Sequence, residues 1–219
     1  MRSTPMAIWA ANLQDEDFKR ACKSDVELTH PNQTSNDVVY IYNLAIKTLI
    51  EFSDNPNKAN IAYHRCVIEI NKCKPQDNPY GTQDLQEWLK EVNTLFDESY
   101  IKRSYKPLSK FESPLRAMGW LKNGFVLSFY CLRYYQIYTE DRINYEIDFF
   151  SLAYKMAISV GGDTDTNACV VCGLIGALVG FHEIPREMMG KVLSFDCTKE
   201  IINRERFLST KYHSASLVN

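Results

Sequence analysis

What this sequence of 219 residues lacks narrows its reading before any motif is weighed. It has no excess of either charge: a formal net charge of -2 and a pI near 6.1 leave no basic field to draw the chain onto nucleic acid or an anionic membrane. It lacks a long hydrophobic run. The longest uncharged apolar stretch, Ala168 to Phe181, has 14 residues, short of the roughly 18 a membrane span needs. The cysteines number seven, scattered from Cys22 to Cys197 without the even, close spacing of a secreted disulfide framework. No basic-then-apolar leader opens the chain, so a reducing cytoplasm is the expected compartment. Alternating strand patterns, internal repeats and low-complexity segments are also missing.

What is present is helical periodicity around apolar material for one core, so a single domain over 1–219 is expected. Val38, Ile41, Tyr42, Ala45, Leu49 and Phe52 recur in steps of three and four and predict an amphipathic helix. A second helix is predicted from a Thr82 cap through Leu85, Trp88, Leu89, Val92, Leu95 and Phe96. Between Ser99 and Met118 the pattern lapses around Pro107 and Pro114. A long solvated connection carrying Lys102, Arg103, Lys106, Lys110 and Arg116 is expected there. Helices resume from Gly119 to Tyr138 through Phe125, Phe129, Leu132 and Tyr135, and again through Ile143, Ile147, Phe150, Tyr154 and Ala157. The predicted fold class is all-α, an irregular helical bundle.

The stretch Gly161-Gly162-Asp163-Thr164-Asp165-Thr166-Asn167-Ala168 carries the chemistry. The glycine pair suits a left-handed helix end, and the five polar residues suit the start of the next helix. Two carboxylates two residues apart with a threonine hydroxyl beside them exceed what capping requires. All three present oxygen, the donor that a hard cation such as Mg²⁺ selects. Behind them Gly173, Gly176 and Gly180 share a face with Cys169, each glycine costing about 0.8–1 kcal/mol of helix propensity. Close approach of a neighbouring backbone would offset that cost, and the apolar residues all round this helix place it at the centre of the bundle. Cys169 and Cys172 read as two small core residues. Trp120 either faces a flat ring of a ligand or staples its helix start.

This stretch, followed by Gly-Leu-Ile-Gly-Ala and Ile184-Pro185, closely resembles the C-terminal signature of the ADP-ribosylglycohydrolase family, which includes the dinitrogenase reductase-activating glycohydrolases. Met1-Arg2-Ser3-Thr4-Pro5-Met6-Ala7, Leu28-Thr29-His30-Pro31 and the helix from Gly119 to Leu132 resemble further family segments in the same order. The resemblance implies an all-helical hydrolase that uses two Mg²⁺ or Mn²⁺ ions to cleave ADP-ribose from a modified protein side chain. It implies metal ligation by Asp163, Asp165 and Thr166, and substrate contacts at His30, Gly119 and Gly162. The His30 ring would donate to a pyrophosphate oxygen. The chain opens in the middle of the family pattern, without the Gly-Asp-x-x-Gly, Thr-Asp-Asp and Gly-Asn-Gly segments. The expectation is therefore a bundle lacking its N-terminal helices, with part of the two-ion site supplied by residues outside this chain. An inactive relative that binds ADP-ribose or serves a structural role is the alternative. ADP-ribose or an ADP-ribosylated protein is the expected partner, with self-association through an uncovered glycine face or an adjoining surface.

Overall fold

A computed structural model of the protein describes residues 2–72, 81–106, 119–141 and 146–194, without the side chains of 81–83. Nine α-helices and no strand occur among the described residues, in agreement with the all-α reading. The chain divides into two compact units, Met1–Glu183 and Ile184–Asn219. The first holds α1 (Ser3–Ala10), α2 (Asp15–Glu27), α3 (Gln33–Glu51), α4 (Lys58–Lys72), α5 (Gly81–Lys102), α6 (Leu121–Glu140), α7 (Phe149–Ser159), α8 (Thr164–Val179) and a 3-10 turn at Phe181–Glu183. The second holds α9 (Arg186–Leu193).

The centre of the first unit is built by α3 and α6. Residues 41–49 of α3 and 123–132 of α6 are buried without interruption. The expected stripe Val38, Ile41, Tyr42, Ala45 and Leu49 is part of this core, while Phe52 falls just beyond the helix and is 40% exposed. Asn32 caps α3, its side chain accepting from Ser35 N at 2.9 Å. Asp15, Glu16 and Asp17 load the first turn of α2 with the charge that a helix N-terminus favours. Phe18, Cys22 and Val26 then bury one face of it at four-residue spacing. Lys47, only 4% exposed, ties the α1–α2 connection to α3. Its ammonium donates to Ala11 O at 2.6 Å and Leu13 O at 2.9 Å and pairs with Glu51 at 2.8 Å.

Four expected boundaries move. Helix α5 includes Thr82 rather than starting after it, and it continues to Lys102 where a connection was expected from Ser99. Ser99 looks like a loop residue in sequence. Here it is fully buried, its hydroxyl 2.8 Å from the Tyr130 hydroxyl, and that polar pair inside the core carries the helix onward. Arg103 closes α5 with φ 47, its guanidinium over the Tyr100 ring and bonded to Glu140 at 2.6 Å. Lys110, Arg116 and the rest of that stretch up to Met118 lie outside the described residues. Helix α6 begins at Leu121, after Gly119 with φ 77. Helix α7 begins only at Phe149, because Asp148 accepts from Ser151 N at 2.7 Å and so caps it. Ile147 precedes that cap, and Ile143 lies outside the described residues.

Helix α8 is not the central rod its composition suggested. Its buried stripe, Ala168, Val171, Leu174, Ile175 and Leu178, packs on α6 and α7, whereas Cys169 is exposed and Cys172 only half-buried. Cys169 is therefore no core residue. Small side chains give the same apolar sequence signal whether they are covered or open. Gly173 is closed, but by side chains rather than by a backbone: a Cβ there would overlap Thr4 Oγ1 and stand 2.7 Å from the Tyr42 hydroxyl. The glycine face expected to stay uncovered is thus occupied by α1 at that position. Gly180 ends the helix with φ 86 and meets nothing within 4 Å.

Candidate functional site

The link from α7 to α8 is made by Gly161 (φ 82) and Gly162 (φ 75), a left-handed pair that reverses the chain as the two glycines predict. Asp163 then takes the N-cap position of α8, yet its side chain makes no capping hydrogen bond. The carboxylate is directed elsewhere. A hydrogen bond with the Asp163 side chain, together with the backbone amides of Thr166 and Asp165 itself, holds the exposed Asp165 carboxyl below the ordinary aspartate range. Thr166 follows on the same helix turn.

Beside this oxygen cluster lies a cavity of about 500 Å³, within the size range of small-molecule sites. Its walls include residues from four helix beginnings and one helix end, besides apolar residues within α3, α6 and α8. Ser3 and Thr4 open α1, Ser35 opens α3, Trp120 and Leu121 open α6, and Thr166 and Asn167 belong to the first turn of α8; Val26, Thr29 and His30 come from the end of α2. Helix N-termini leave amide hydrogens unpaired and carry partial positive charge, so their convergence favours a ligand bearing negative charge, such as a diphosphate. Asn167 is only 4% exposed and its Nδ2 has no partner, so a ligand oxygen there would satisfy a buried donor.

The cavity brings together His30, Gly119 and Thr166 among the residues expected from sequence. His30 is exposed on its rim, with Nδ1 2.8 Å from the Thr29 hydroxyl. Gly119 connects the cavity to the carboxylates, because a Cβ on it would lie 3.9 Å from Asp163 Oδ2. Asp163, Asp165 and Gly162 themselves stand outside the cavity wall. Trp120 is 50% exposed and lines the cavity, its ring edge-on to Trp88 at 6.1 Å and under the Lys122 ammonium at 5.3 Å. The wall residues Arg2, Asp25, Tyr42, Asn167 and Val170 carry no signal of this role in the sequence. Tyr42 reads only as a core position and Asn167 only as a capping residue.

Among the described residues no group of three His, Cys, Asp or Glu side chains gathers that would hold a metal ion. Two carboxyl groups and a hydroxyl suit one hard cation completed by water. They do not fill the coordination of two.

A model of the ADP-ribosylglycohydrolase family matches residues 1–215. The chain belongs to the ADP-ribosylglycohydrolase family. The activity of that family, hydrolysis of ADP-ribosyl conjugates, is in general metal-dependent. No curated protein and no solved structure matches the chain. No helix among the described residues is long and apolar enough to cross a membrane.

Proposed function

We propose that this chain removes ADP-ribose from modified protein side chains, with the adenosine diphosphate portion in the cavity and the glycosidic bond beside Asp163, Asp165 and Thr166. The observation that carries this reading is the placement of that oxygen cluster against Gly119, at the edge of a cavity walled by helix N-termini. Trp120, half-exposed in the cavity wall, would stack on the adenine. The Asn167 carboxamide and the His30 ring would donate to the diphosphate and ribose oxygens, and the positive ends of the α1, α3, α6 and α8 dipoles would favour their charge. Asp163, Asp165 and Thr166 would hold a Mg²⁺ or Mn²⁺ ion, which supplies charge to orient the ribose hydroxyls and lower the pKa of a bound water. The same carboxylates would oppose the positive charge that develops on the sugar as the glycosidic bond opens.

A second reading, binding of ADP-ribose without turnover, is favoured by a single observation: no third acidic or histidine side chain joins Asp163 and Asp165 among the described residues. Two assays separate the readings. Calorimetry with ADP-ribose in the presence of Mg²⁺ is expected to give saturable binding by the parent chain and weaker binding by Trp120→Ala, by about 1–3 kcal/mol for a lost base–aromatic stack. Release of ADP-ribose from a modified arginine or serine peptide, abolished in Asp163→Ala, supports the hydrolase. Binding without release supports the second reading, and no binding removes both.

A further inference from the structure

We propose that the Thr4–Tyr42 hydroxyl pair, seated on Gly173, is a positioning device that fixes how far α8 presents its oxygen cluster toward the cavity. This inference rests on the functional reading above for its ligand, and on the fold alone for its geometry. Tyr42 donates from its hydroxyl to Val170 O at 2.9 Å, so at the 2.7 Å contact between the two hydroxyls Thr4 is the donor. Val170 lies one helical turn beyond Thr166, and Gly173 is the residue whose missing side chain lets both hydroxyls reach the α8 backbone. Against α6 and α7 the helix presents apolar side chains, for example Val170 Cγ1 at 3.6 Å from a Cβ built on Gly124. Such contacts set the distance between helices but have no preferred direction along the axis. A hydrogen bond to a backbone carbonyl does. One residue of sliding moves a helix by about 1.5 Å, whereas a binding site tolerates only about 0.5 Å. Tyr42 thus joins three elements, α1 through Thr4, α3 through its own backbone and α8 through Val170. Thr4, Tyr42 and Val170 also line the cavity, but Gly173 does not, so a change at Gly173 acts on the ligand without touching it, through α8 and the pair seated on it.

The test is calorimetric titration of ADP-ribose with Mg²⁺ against Tyr42→Phe, Thr4→Val and Gly173→Ala. Thr4→Ser, which keeps the donor, is the conservative variant. Tyr40→Phe is the control, because it removes a hydroxyl from the same helix that contacts Glu69 at 3.3 Å and lies outside the cavity wall. The first three are expected to bind roughly tenfold more weakly or worse, while Thr4→Ser and Tyr40→Phe bind as the parent does. Parent-like binding by Tyr42→Phe, or an equal loss in Tyr40→Phe, overturns the proposal. If the parent binds no ADP-ribose, the functional reading falls, and amide exchange in the unliganded chain decides the positioning role. Faster exchange at residues 164–170 in Tyr42→Phe, with α7 unchanged, supports it; unchanged exchange in α8 overturns it.

Discussion

At the residue scale the acidic pair is the most exposed to test. The Asp165 side chain is exposed and the Asp163 side chain does no capping, so neither is required for the helix to form. Asp165→Asn is expected to leave stability within about 0.5 kcal/mol of the parent. Mn²⁺ affinity, followed by electron paramagnetic resonance, is expected to fall about tenfold or more. Equal Mn²⁺ binding by the two proteins would contradict the ligand assignment. The sign of the pH dependence follows from the lowered Asp165 carboxyl, which remains ionised through the ordinary aspartate range near pH ~4 and gains its proton only below it. Mn²⁺ binding should accordingly be flat above about pH 5 and collapse toward about pH 3 as protons displace the ion. A midpoint near neutrality would point to a histidine ligand instead. Cys172 is a quieter neighbour, since burial pushes its thiol up to about 12 and leaves it protonated at neutral pH.

At the scale of elements, two local devices have measurable weight. Asp148 caps α7 through Ser151, and Asp148→Ala is expected to cost about 1 kcal/mol in chemical denaturation. Lys47 is the deeper case. Lys47→Met keeps the stem but strips donors from Ala11 O and Leu13 O and frees Glu51 of a partner, for an expected loss of about 2–4 kcal/mol. These weights also explain what could be read from sequence. The α3 stripe, the start of α8 and the left-handed Gly161-Gly162 link were legible because period and glycine placement act locally. The reach of α5 to Lys102 was not, because it depends on Ser99 meeting Tyr130 across the core. The packing at Gly173 was half legible: the glycines signalled a close approach, but not that hydroxyls of Thr4 and Tyr42 make it. Within the site, Asp163, Asp165 and Thr166 stood out by chemistry. Tyr42, Asn167 and Arg2 join the wall only through the way α1, α3 and α8 are set side by side.

On the scale of the whole molecule, the unit Met1–Glu183 gathers the starts of several helices around one cavity. Four helix beginnings meet at one cavity, and the end of α2 closes the remaining side. The Asp163 carboxylate stands next to that ring of helix beginnings rather than within it, its Oδ2 3.9 Å from where a Cβ on Gly119 would lie. An anion held by the ring would leave its sugar facing the acidic pair. The most direct test is to incubate the chain with an ADP-ribosylated peptide and Mg²⁺ and to follow free ADP-ribose by chromatography, with Asp163→Ala and a chelator as controls. Release by the parent that both controls abolish is the predicted result. Release that persists in Asp163→Ala or with the metal removed would contradict the account.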